Sequence, residues 1–313
     1  MNRAFLGMSH SPLIGLNEIP PAAEQALNDA FSRTRKLVQD YDPELIVLIA
    51  PDHYNGFFNQ LMPPFCIGTQ ARSVGDYLSS AGPLNVDGAV GLDLADALMD
   101  DGFDMTVSRR MTVDHGFAQP LELLWGGLDT PPVVPIFLNA VAPPSIPRLQ
   151  RCRSLGIAIG RFLDGIPQRT LVIGSGGLSH EPPVPNLNHP DPVVRERITV
   201  PCDSIPIDLE AKKQRVMAAG RAMARGDNSI KPLNPEWDRR WMEAIAGSDA
   251  DLNALCRQSE ESIDLAAGHS AHESKSWLIA RSALSPDVEH PCVFQHYQTI
   301  PEYIAGFGLM FMH

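Results

Sequence analysis

The chain has 313 residues, of which 44% are apolar and 20% charged, a balance typical of a folded enzyme domain that argues against disorder. It carries 25 Lys and Arg against 37 Asp and Glu, a formal net charge of −12. Because an acidic surface repels phosphate backbones, we expect no nucleic-acid partner. No apolar run is long enough to span a bilayer, and the five cysteines are widely spaced with no C-x-x-C pair. We therefore expect a soluble cytoplasmic protein with reduced thiols and no membrane contact.

Strand-like and helix-like segments alternate over about the first 181 residues. Short apolar runs predict strands at residues 4–8, 44–50, 105–107, 133–138 and 169–174. Apolar residues at helical spacing predict helices at residues 20–40, 90–99, 120–125 and 146–163. This alternation predicts an α/β fold with a central, mostly parallel or mixed sheet covered by helices.

The pattern changes after residue 181. A loop rich in Pro and Asn comes first, and residues 208–285 are then mostly helical. The predicted helices in this part are residues 208–224, 236–246, 249–257 and 271–284. The apolar tail, residues 300–313, is expected to close the sheet as a strand. Few boundary signals separate these parts, so we expect one domain over residues 1–313 with a helical C-terminal portion.

Four histidines follow predicted strands. His10, His53 and His180 come soon after a strand-like run, and His115 lies a few residues beyond another. The carboxyl ends of the strands in an open α/β sheet line one crevice, where ligands bind. We therefore expect the four imidazoles to share one edge of the sheet. A single histidine in such a place is more often structural, whereas four favour a site that binds a metal or moves protons.

Sequence motifs for other chemistries are absent. The segment GSGGLS at residues 174–179 fits neither G-x-G-x-x-G nor G-x-S-x-G, and there is no Walker A sequence. The segment HESKS at residues 272–276 lacks the second histidine of H-E-x-x-H. These absences argue against nucleotide binding, serine hydrolysis and zinc proteolysis.

The segment HSAHESKSW at residues 269–277 holds the best carboxylate candidate. Ser270 and Glu273 have the S-x-x-E spacing of a capping box at the start of a helix, so a structural role for Glu273 is as well supported as a functional one. His269 or His272 is an equal candidate if the site binds a metal.

Seven segments carry a family resemblance. They are MSHSPL, APDHYNGFF, VDHGFAQPLE, GSGGLSHEPPVP, KPLNPEWD, SAHESKSW and IPEYIAGFG. Each is weak alone, but together and in this order the chain resembles, essentially end to end, the class III extradiol ring-cleavage dioxygenases of the LigB superfamily. The resemblance implies a LigB-like layered fold, a homo-oligomer, and a catechol and O₂ as substrates. Within the family the likeness is strongest to members that cleave a catechol bearing a propionate arm. The stretch from His189 to Ile207 departs from the family pattern and leaves substrate contacts there open.

Five residues match the family's site. The resemblance implies that His10, His53 and Glu273 are ligands of a non-haem Fe(II), in a two-His, one-carboxylate set that leaves one face open. It also implies that His115 and His180 are unligated acid–base residues. We assign His115 as proton donor and His180 as proton acceptor, although the two roles could be exchanged.

Neighbours of these residues complete the set of candidates. Asp52 and Asp114 each precede a site histidine, and adjacent residues on an extended chain point apart. We expect either carboxylate to be structural or to orient another ring rather than to catalyse. Tyr54 and Asn55 are candidates for the wall of the substrate pocket.

Three alternatives stay open at this point. The chain could cleave another catechol, or be a non-catalytic metal-binding relative of the same fold. It could also be a metal-dependent hydrolase that uses the same histidines without O₂. The presence of all five family positions favours the dioxygenase.

Overall fold

A computed structural model describes residues 2–201, 209–227, 230–285 and 288–313. The strands are β1 (Arg3–Met8), β2 (Leu45–Ala50), β3 (Phe65–Gly68), β4 (Ala71–Val74), β5 (Ala81–Pro83), β6 (Thr106–Ser108), β7 (Met111–Val113), β8 (Val133–Leu138), β9 (Thr170–Ser175), β10 (Cys292–Ile300) and β11 (Ala305–Met312). The α-helices are α1 (Pro21–Tyr41), α2 (Gly88–Asp100), α3 (His115–Trp125), α4 (Leu149–Leu163), α5 (Pro192–Arg197), α6 (Leu209–Ala224), α7 (Pro235–Ala246), α8 (Asp249–Leu255), α9 (Glu260–Ala267) and α10 (Lys275–Ser282). Short 3-10 helices span His269–Ser274 and Pro301–Tyr303.

The central sheet has eight strands in the order β10-β11-β1-β9-β2-β8-β3-β6. Its middle four strands, β1, β9, β2 and β8, run parallel to one another. The C-terminal strand β11 is antiparallel to β1, and β3 is antiparallel to β8. A second sheet of three strands, β5-β4-β7, stands apart. The expected α/β class with a mixed sheet is confirmed.

Alternate residues of the central strands belong to two separate cores. In β2, Leu45, Val47 and Ile49 pack in one apolar cluster, and Ile46 and Leu48 pack in the other. The first cluster includes residues of α2, α4, α7 and α10, and the second includes residues of α1, α3 and α6. Side chains of a strand point alternately to its two faces, so the sheet is the middle layer of three and its strands are apolar throughout.

Four predicted strands are observed, and the ends of each differ by no more than two residues from the prediction. They are the predicted strands at 4–8, 44–50, 133–138 and 169–174. Helix α3 is longer than predicted, because it begins at His115 and includes Pro120 within it. The predicted helix at 271–284 instead begins as the 3-10 helix His269–Ser274 and becomes α-helical at Lys275. Asp208, the predicted start of α6, lies outside the described residues.

The tail closes the sheet as expected, although through two strands rather than one. Strand β11 pairs with β1, and β10 pairs with β11 along its other edge. The first and last strands of the chain thus share one sheet, which supports our proposal that residues 1–313 form one domain. Within the described ranges, no helix combines the length and apolarity needed to cross a bilayer.

Candidate metal and catalytic site

Three of the predicted site histidines follow neighbouring parallel strands. His10 follows β1, His53 follows β2 and His180 follows β9, and these strands are adjacent in the order β1-β9-β2. Parallel neighbours end at the same edge, so the fold brings the three rings together there. His115 does not come from this sheet, contrary to our expectation. It is the first residue of α3, which follows β7 of the small sheet.

Glu273 enters the site from the 3-10 helix His269–Ser274. Its carboxylate oxygen Oε2 accepts a hydrogen bond of 3.0 Å from the Gly177 backbone N–H. A Cβ on Gly176 would lie 2.5 Å from the Glu273 carbonyl oxygen, so only glycine allows this approach. The GSGGLS segment thus serves close packing. The Ser270–Glu273 capping box does not form, since the N-cap of the 3-10 helix is Gly268 and makes no side-chain cap bond.

The carboxylate of Glu273 lies among three imidazoles. Its Oε2 is 3.5 Å from His10 Nε2, and its Oε1 is 3.1 Å from His53 Nε2 and 3.2 Å from His180 Nε2. The His10 ring also packs edge-on against the ring of His115, with centroids 5.4 Å apart. We call His10, His53, His115, His180 and Glu273 the imidazole cluster.

His10 is held as a neutral ring with one free nitrogen. The Ser175 hydroxyl donates to the Gly116 carbonyl at 2.8 Å, so its oxygen accepts from His10 Nδ1, 2.9 Å away. The hydrogen of His10 is therefore on Nδ1, and Nε2 carries a lone pair. Burial lowers the pKa of His10 to about 3 despite the opposing charge of Glu273. Among the described residues, the buried Nε2 has no hydrogen-bond partner.

His53 is oriented by Asp114, not by the adjacent Asp52. Its Nδ1 donates to Asp114 Oδ2 at 3.0 Å, and its backbone N–H donates to the same oxygen at 2.7 Å. Burial alone would lower the pKa of His53, but Asp114 and Glu273 outweigh it and hold that pKa well above its usual value. The bond to Asp114 directs Nε2 of His53 at Glu273.

His115 is fixed by Asp76, a residue that the sequence analysis missed. Its Nδ1 donates to Asp76 Oδ2 at 2.6 Å, and its backbone N–H donates to Asp76 Oδ1 at 2.8 Å. Its buried Nε2 has no partner among the residues that the structure describes. The only local signal, Gly75 before Asp76, indicated a turn and gave no sign that this turn reaches the site.

The orientation of the His115 ring argues against a metal ion shared by His10, His53 and His115. One nitrogen each of His10, His53 and His115 lies within 4.8 Å of the other two, a spacing that by itself would suit a shared ion. However, the rings of His53 and His115 are stacked, with centroids 4.6 Å apart and planes 16° apart. The lone pair of an imidazole nitrogen lies in the plane of its ring, and a bound metal ion lies about 2 Å along that lone pair. Two rings with nearly parallel, stacked planes therefore cannot both bind the same ion. The contact of His53 Nε2 with Glu273 favours His53 as the donor.

His180 is held in the same tautomer as His10, here by a backbone carbonyl oxygen. Its Nδ1 donates to the Leu178 carbonyl oxygen at 2.8 Å, which leaves Nε2 at the cavity. Burial alone would lower the pKa of His180, but the charge of Glu273 outweighs it and raises that pKa. In return His180 and His53 hold the pKa of Glu273 well below its usual value, against the effect of burial.

These residues fit a metal ion. His10 Nε2 and Glu273 Oε2 are both electron-pair donors, yet they face each other at 3.5 Å with no hydrogen available between them. A cation relieves that repulsion, and a metal can replace the hydrogen that joins His53 Nε2 to Glu273. Two imidazole nitrogens and one carboxylate, with Nδ1 of each ring hydrogen-bonded behind, is a donor set typical of non-haem iron.

The other sequence candidates lie around this set. Asp52 is buried and accepts from the backbone N–H groups of Asn55, Gly56 and Phe57, so it fixes the turn after β2. Burial, followed by the charge of Asp114, raises the pKa of Asp52 to about 7. The Asn55 side chain donates to Asp114 Oδ2 at 2.9 Å.

His269 and His272 form a separate group. His269 Nδ1 and His272 Nε2 lie 3.1 and 3.0 Å from Asp264 Oδ1, which is on α9. Neither histidine is among the described residues that line the cavity beside the imidazole cluster. The structure therefore gives no support to either as a substitute for Glu273.

A cavity of about 460 Å³ opens beside the imidazole cluster. Tyr54 and Tyr77 line it, and both have a left-handed backbone, with φ of 59° and 53°. L-residues adopt that conformation at a cost and keep it where the surroundings enforce it. Each tyrosine directly follows a residue that the site uses, His53 or Asp76. The turns that supply these side chains are therefore held in a strained form.

Comparisons with known proteins agree with this site. Residues 4–308 match the family described as the catalytic LigB subunit of aromatic ring-opening dioxygenase. The chain is 60% identical over 99% of its length to a 2,3-dihydroxyphenylpropionate/2,3-dihydroxicinnamic acid 1,2-dioxygenase of Comamonas testosteroni, 97% of which is covered. An enzyme of the same name from Burkholderia vietnamiensis is 46% identical over 97% of this chain and 95% of its own. One from a Rhodococcus species is 45% identical over 98% of this chain and 96% of its own.

The fold is also found among solved structures. An uncharacterized protein from Escherichia coli K12 superposes with a TM-score of 0.50 at 12% identity, over 99% of this chain and 98% of that one. The chain belongs to the LigB family of aromatic ring-opening dioxygenases. The expected family, the extradiol enzyme class and the LigB-like fold are confirmed, and members of this family are metalloenzymes.

Proposed function

We propose that this chain is a non-haem Fe(II) extradiol dioxygenase acting on 2,3-dihydroxyphenylpropionate and 2,3-dihydroxycinnamate. It opens the ring with O₂ to a 2-hydroxy-6-oxo-diene dioate, in the catabolism of phenylpropanoid compounds. The observation that carries the proposal is the convergence of His10 Nε2 and His53 Nε2 on one carboxylate, with two further imidazoles beside them. Relatives at 45–60% identity that bear this name support the choice of substrates.

His10, His53 and Glu273 would hold the metal. When bound, Fe(II) would bring the catechol and O₂ together on its open face and pass electron density between them. Nδ1 of His10 is fixed by Ser175 and Nδ1 of His53 by Asp114, so both rings are oriented before any ion arrives. Such partners raise the basicity of the ligating nitrogen and set its direction.

His180 acts as the proton acceptor. The Leu178 carbonyl can only accept, so it keeps the hydrogen on Nδ1 and leaves the Nε2 lone pair for the substrate hydroxyl. Removal of that proton lets the catechol bind as an anion. Although burial opposes it, the charge of Glu273 raises the pKa of His180 above the usual imidazole value of about 6.5, which strengthens the ring as a proton acceptor.

His115 acts as the proton donor. The Asp76 carboxylate holds Nδ1 and compensates the positive charge that the ring carries while it holds a second proton. Its Nε2 is free to deliver that proton to the oxygen that becomes negative as the O–O bond breaks. The carbonyl partner of His180 and the carboxylate partner of His115 thus support the order of roles that the resemblance left exchangeable.

Two further proposals concern the state of the protein. We infer a cytoplasmic location, supported by free thiols at Cys66, Cys152, Cys256 and Cys292. We also propose a homo-oligomer, which rests on the family resemblance. Light scattering during size-exclusion chromatography tests the second, and a mass equal to one chain of 34.2 kDa overturns it.

Anaerobic loading with Fe(II), followed by O₂ and 2,3-dihydroxyphenylpropionate, tests the function. We expect a yellow ring-fission product. His115→Gln and His180→Gln are each expected to lower kcat by roughly 10²–10⁴-fold, the usual worth of a general acid or base. Both variants should keep one iron per chain by metal analysis. Loss of iron from either variant would contradict the proposed ligand set. If iron-loaded wild type makes no product from any of the catechols tested, the proposed function is wrong.

A further inference from the structure

The cavity beside the imidazole cluster has a second wall that is basic. Among its described lining residues, Arg197, Lys212 and Arg215 carry permanent positive charge, and Glu273 alone is acidic. We call these three residues the basic wall. The chain as a whole has a net charge of −12, so the local excess of positive charge runs against its general character. This placement indicates that the cavity receives an anionic group in addition to the catechol.

Two members of the basic wall share one face of α6. Lys212, Arg215 and Val216 stand at i, i+3 and i+4, which is the spacing of neighbours on one side of a helix. Val216 is buried in the core and anchors this face against the cavity. Lys212 and Arg215 have neither a hydrogen bond nor an ion pair with any described residue. The neighbouring Lys213, which does not line the cavity, is instead paired with Glu210 at 2.5 Å.

Tyr77 connects the basic wall with the imidazole cluster. Its ring packs edge-on against His115, with centroids 5.4 Å apart. Burial, Asp76 and Asp114 raise the pKa of Tyr77, and the positive charge of Arg215 opposes that rise, so the guanidinium lies within electrostatic range of the tyrosine. An anionic arm on a catechol seated at the imidazole cluster therefore has a cation within its surroundings.

We propose that Arg215 and Lys212 bind the side-chain carboxylate of the substrate and so determine the preference for catechols that carry a carboxyalkyl arm. This inference rests on the proposed function. A guanidinium offers two parallel N–H donors to a carboxylate, and Lys212 adds a third donor from the same helix face. The contact is the same in the bound substrate and in the transition state, so it acts on KM rather than on kcat.

The test compares two probes that differ only in charge. They are 2,3-dihydroxyphenylpropionate and its neutral amide, 3-(2,3-dihydroxyphenyl)propanamide. For each we would measure kcat and KM with the Fe(II)-loaded enzyme, and Kd by anaerobic calorimetry without turnover. The variants are Arg215→Gln, Lys212→Gln and the double substitution. Lys213→Gln is the matched control, because it removes the same charge from the next residue of α6 without removing a cavity side chain.

We expect wild type to prefer the acid over the amide. Each single variant should lower the acid-to-amide ratio of kcat/KM about tenfold, through the KM of the acid, as loss of one charge-assisted contact predicts. Lys213→Gln should keep the ratio within about twofold, as a screened surface charge predicts. Arg215→Lys should restore part of the preference that Arg215→Gln loses.

Three outcomes would overturn the inference. They are an unchanged ratio in the double variant, an equal loss on both probes, and a wild type that binds acid and amide equally. Failure of the proposed function looks different. In that case wild type would cleave neither probe, while the anaerobic Kd values would still report whether α6 selects the carboxylate.

Discussion

The imidazole cluster and the basic wall line one cavity but are built in different ways. His10, His115 and Glu273 are almost fully buried, and each has a fixed partner. On the basic wall Lys212 is half-buried and Arg215 exposed, and neither has a partner among the described residues. Reaction requires donors held in one geometry before the substrate arrives, whereas recognition of a carboxylate tolerates side chains that settle around it. The difference indicates which wall carries the chemistry and which carries the selection of substrate.

Glu273→Gln tests the cluster with the largest expected effect. The amide keeps the shape of the side chain but removes the negative charge that faces His10 and His53. We expect the variant to lose bound iron. Its turnover should fall by more than the roughly 100-fold that is typical when a residue that hydrogen-bonds a metal ligand is removed. Metal analysis after anaerobic loading, together with the initial rate, measures both. Retention of stoichiometric iron with wild-type affinity would show that Glu273 is not a ligand.

Asp114→Asn and Asp76→Asn separate the two kinds of support within the cluster. Asp114 orients His53, a proposed ligand, so its loss should weaken iron binding by roughly 10–100-fold. Asp76 orients His115, a proposed proton donor, so its loss should lower kcat while iron affinity stays near that of wild type. Titration with Fe(II) and steady-state kinetics on both variants give the two numbers. Equal effects on iron affinity would contradict the division between ligand and acid–base histidines.

The same division explains what the sequence could predict. His10, His53 and His180 follow apolar runs that became adjacent parallel strands, so their meeting could be predicted from pattern alone. Glu273 could not, because its S-x-x-E spacing fitted a helix cap equally well and only the family resemblance favoured a ligand. His115 reached the site by a different route from the one expected, through the small sheet and the start of α3.

Asp76 and the basic wall were beyond prediction for physical reasons. Asp76 lies in an irregular turn whose position depends on the packing of the small sheet and not on any period in the sequence. Arg197 lies within the stretch 189–207 that departs from the family pattern, and the cavity face of α6 is fixed by the tertiary contacts of Val216. A helix pattern predicts that α6 exists, but not which of its basic residues face a ligand.

The smallest expected effects are on the free energy of unfolding, and they distinguish the segment that leads to His180 from the basic wall. Asp238 is fully buried and accepts from the Ser179 backbone N–H at 2.7 Å, the Ser179 hydroxyl at 2.7 Å and the Tyr297 hydroxyl at 2.6 Å. It therefore fixes the segment that leads to His180. Asp238→Ala leaves the buried Ser179 N–H and hydroxyl without their acceptor, while the Tyr297 hydroxyl keeps its contact with Thr299 Oγ1 at 3.2 Å. The substitution should lower the free energy of unfolding by about 3 kcal/mol.

Lys212→Gln removes no bond to a described residue and should change the free energy of unfolding by less than about 0.5 kcal/mol, as expected for a surface position. Urea unfolding of both variants, with unchanged slope, measures the difference. Such a result would mean that residues of the basic wall can be substituted with little loss of stability, unlike the residues that support the imidazole cluster. A destabilisation by Lys212→Gln as large as that by Asp238→Ala would mean that α6 depends on this lysine for packing, and the contrast between the two walls would fail.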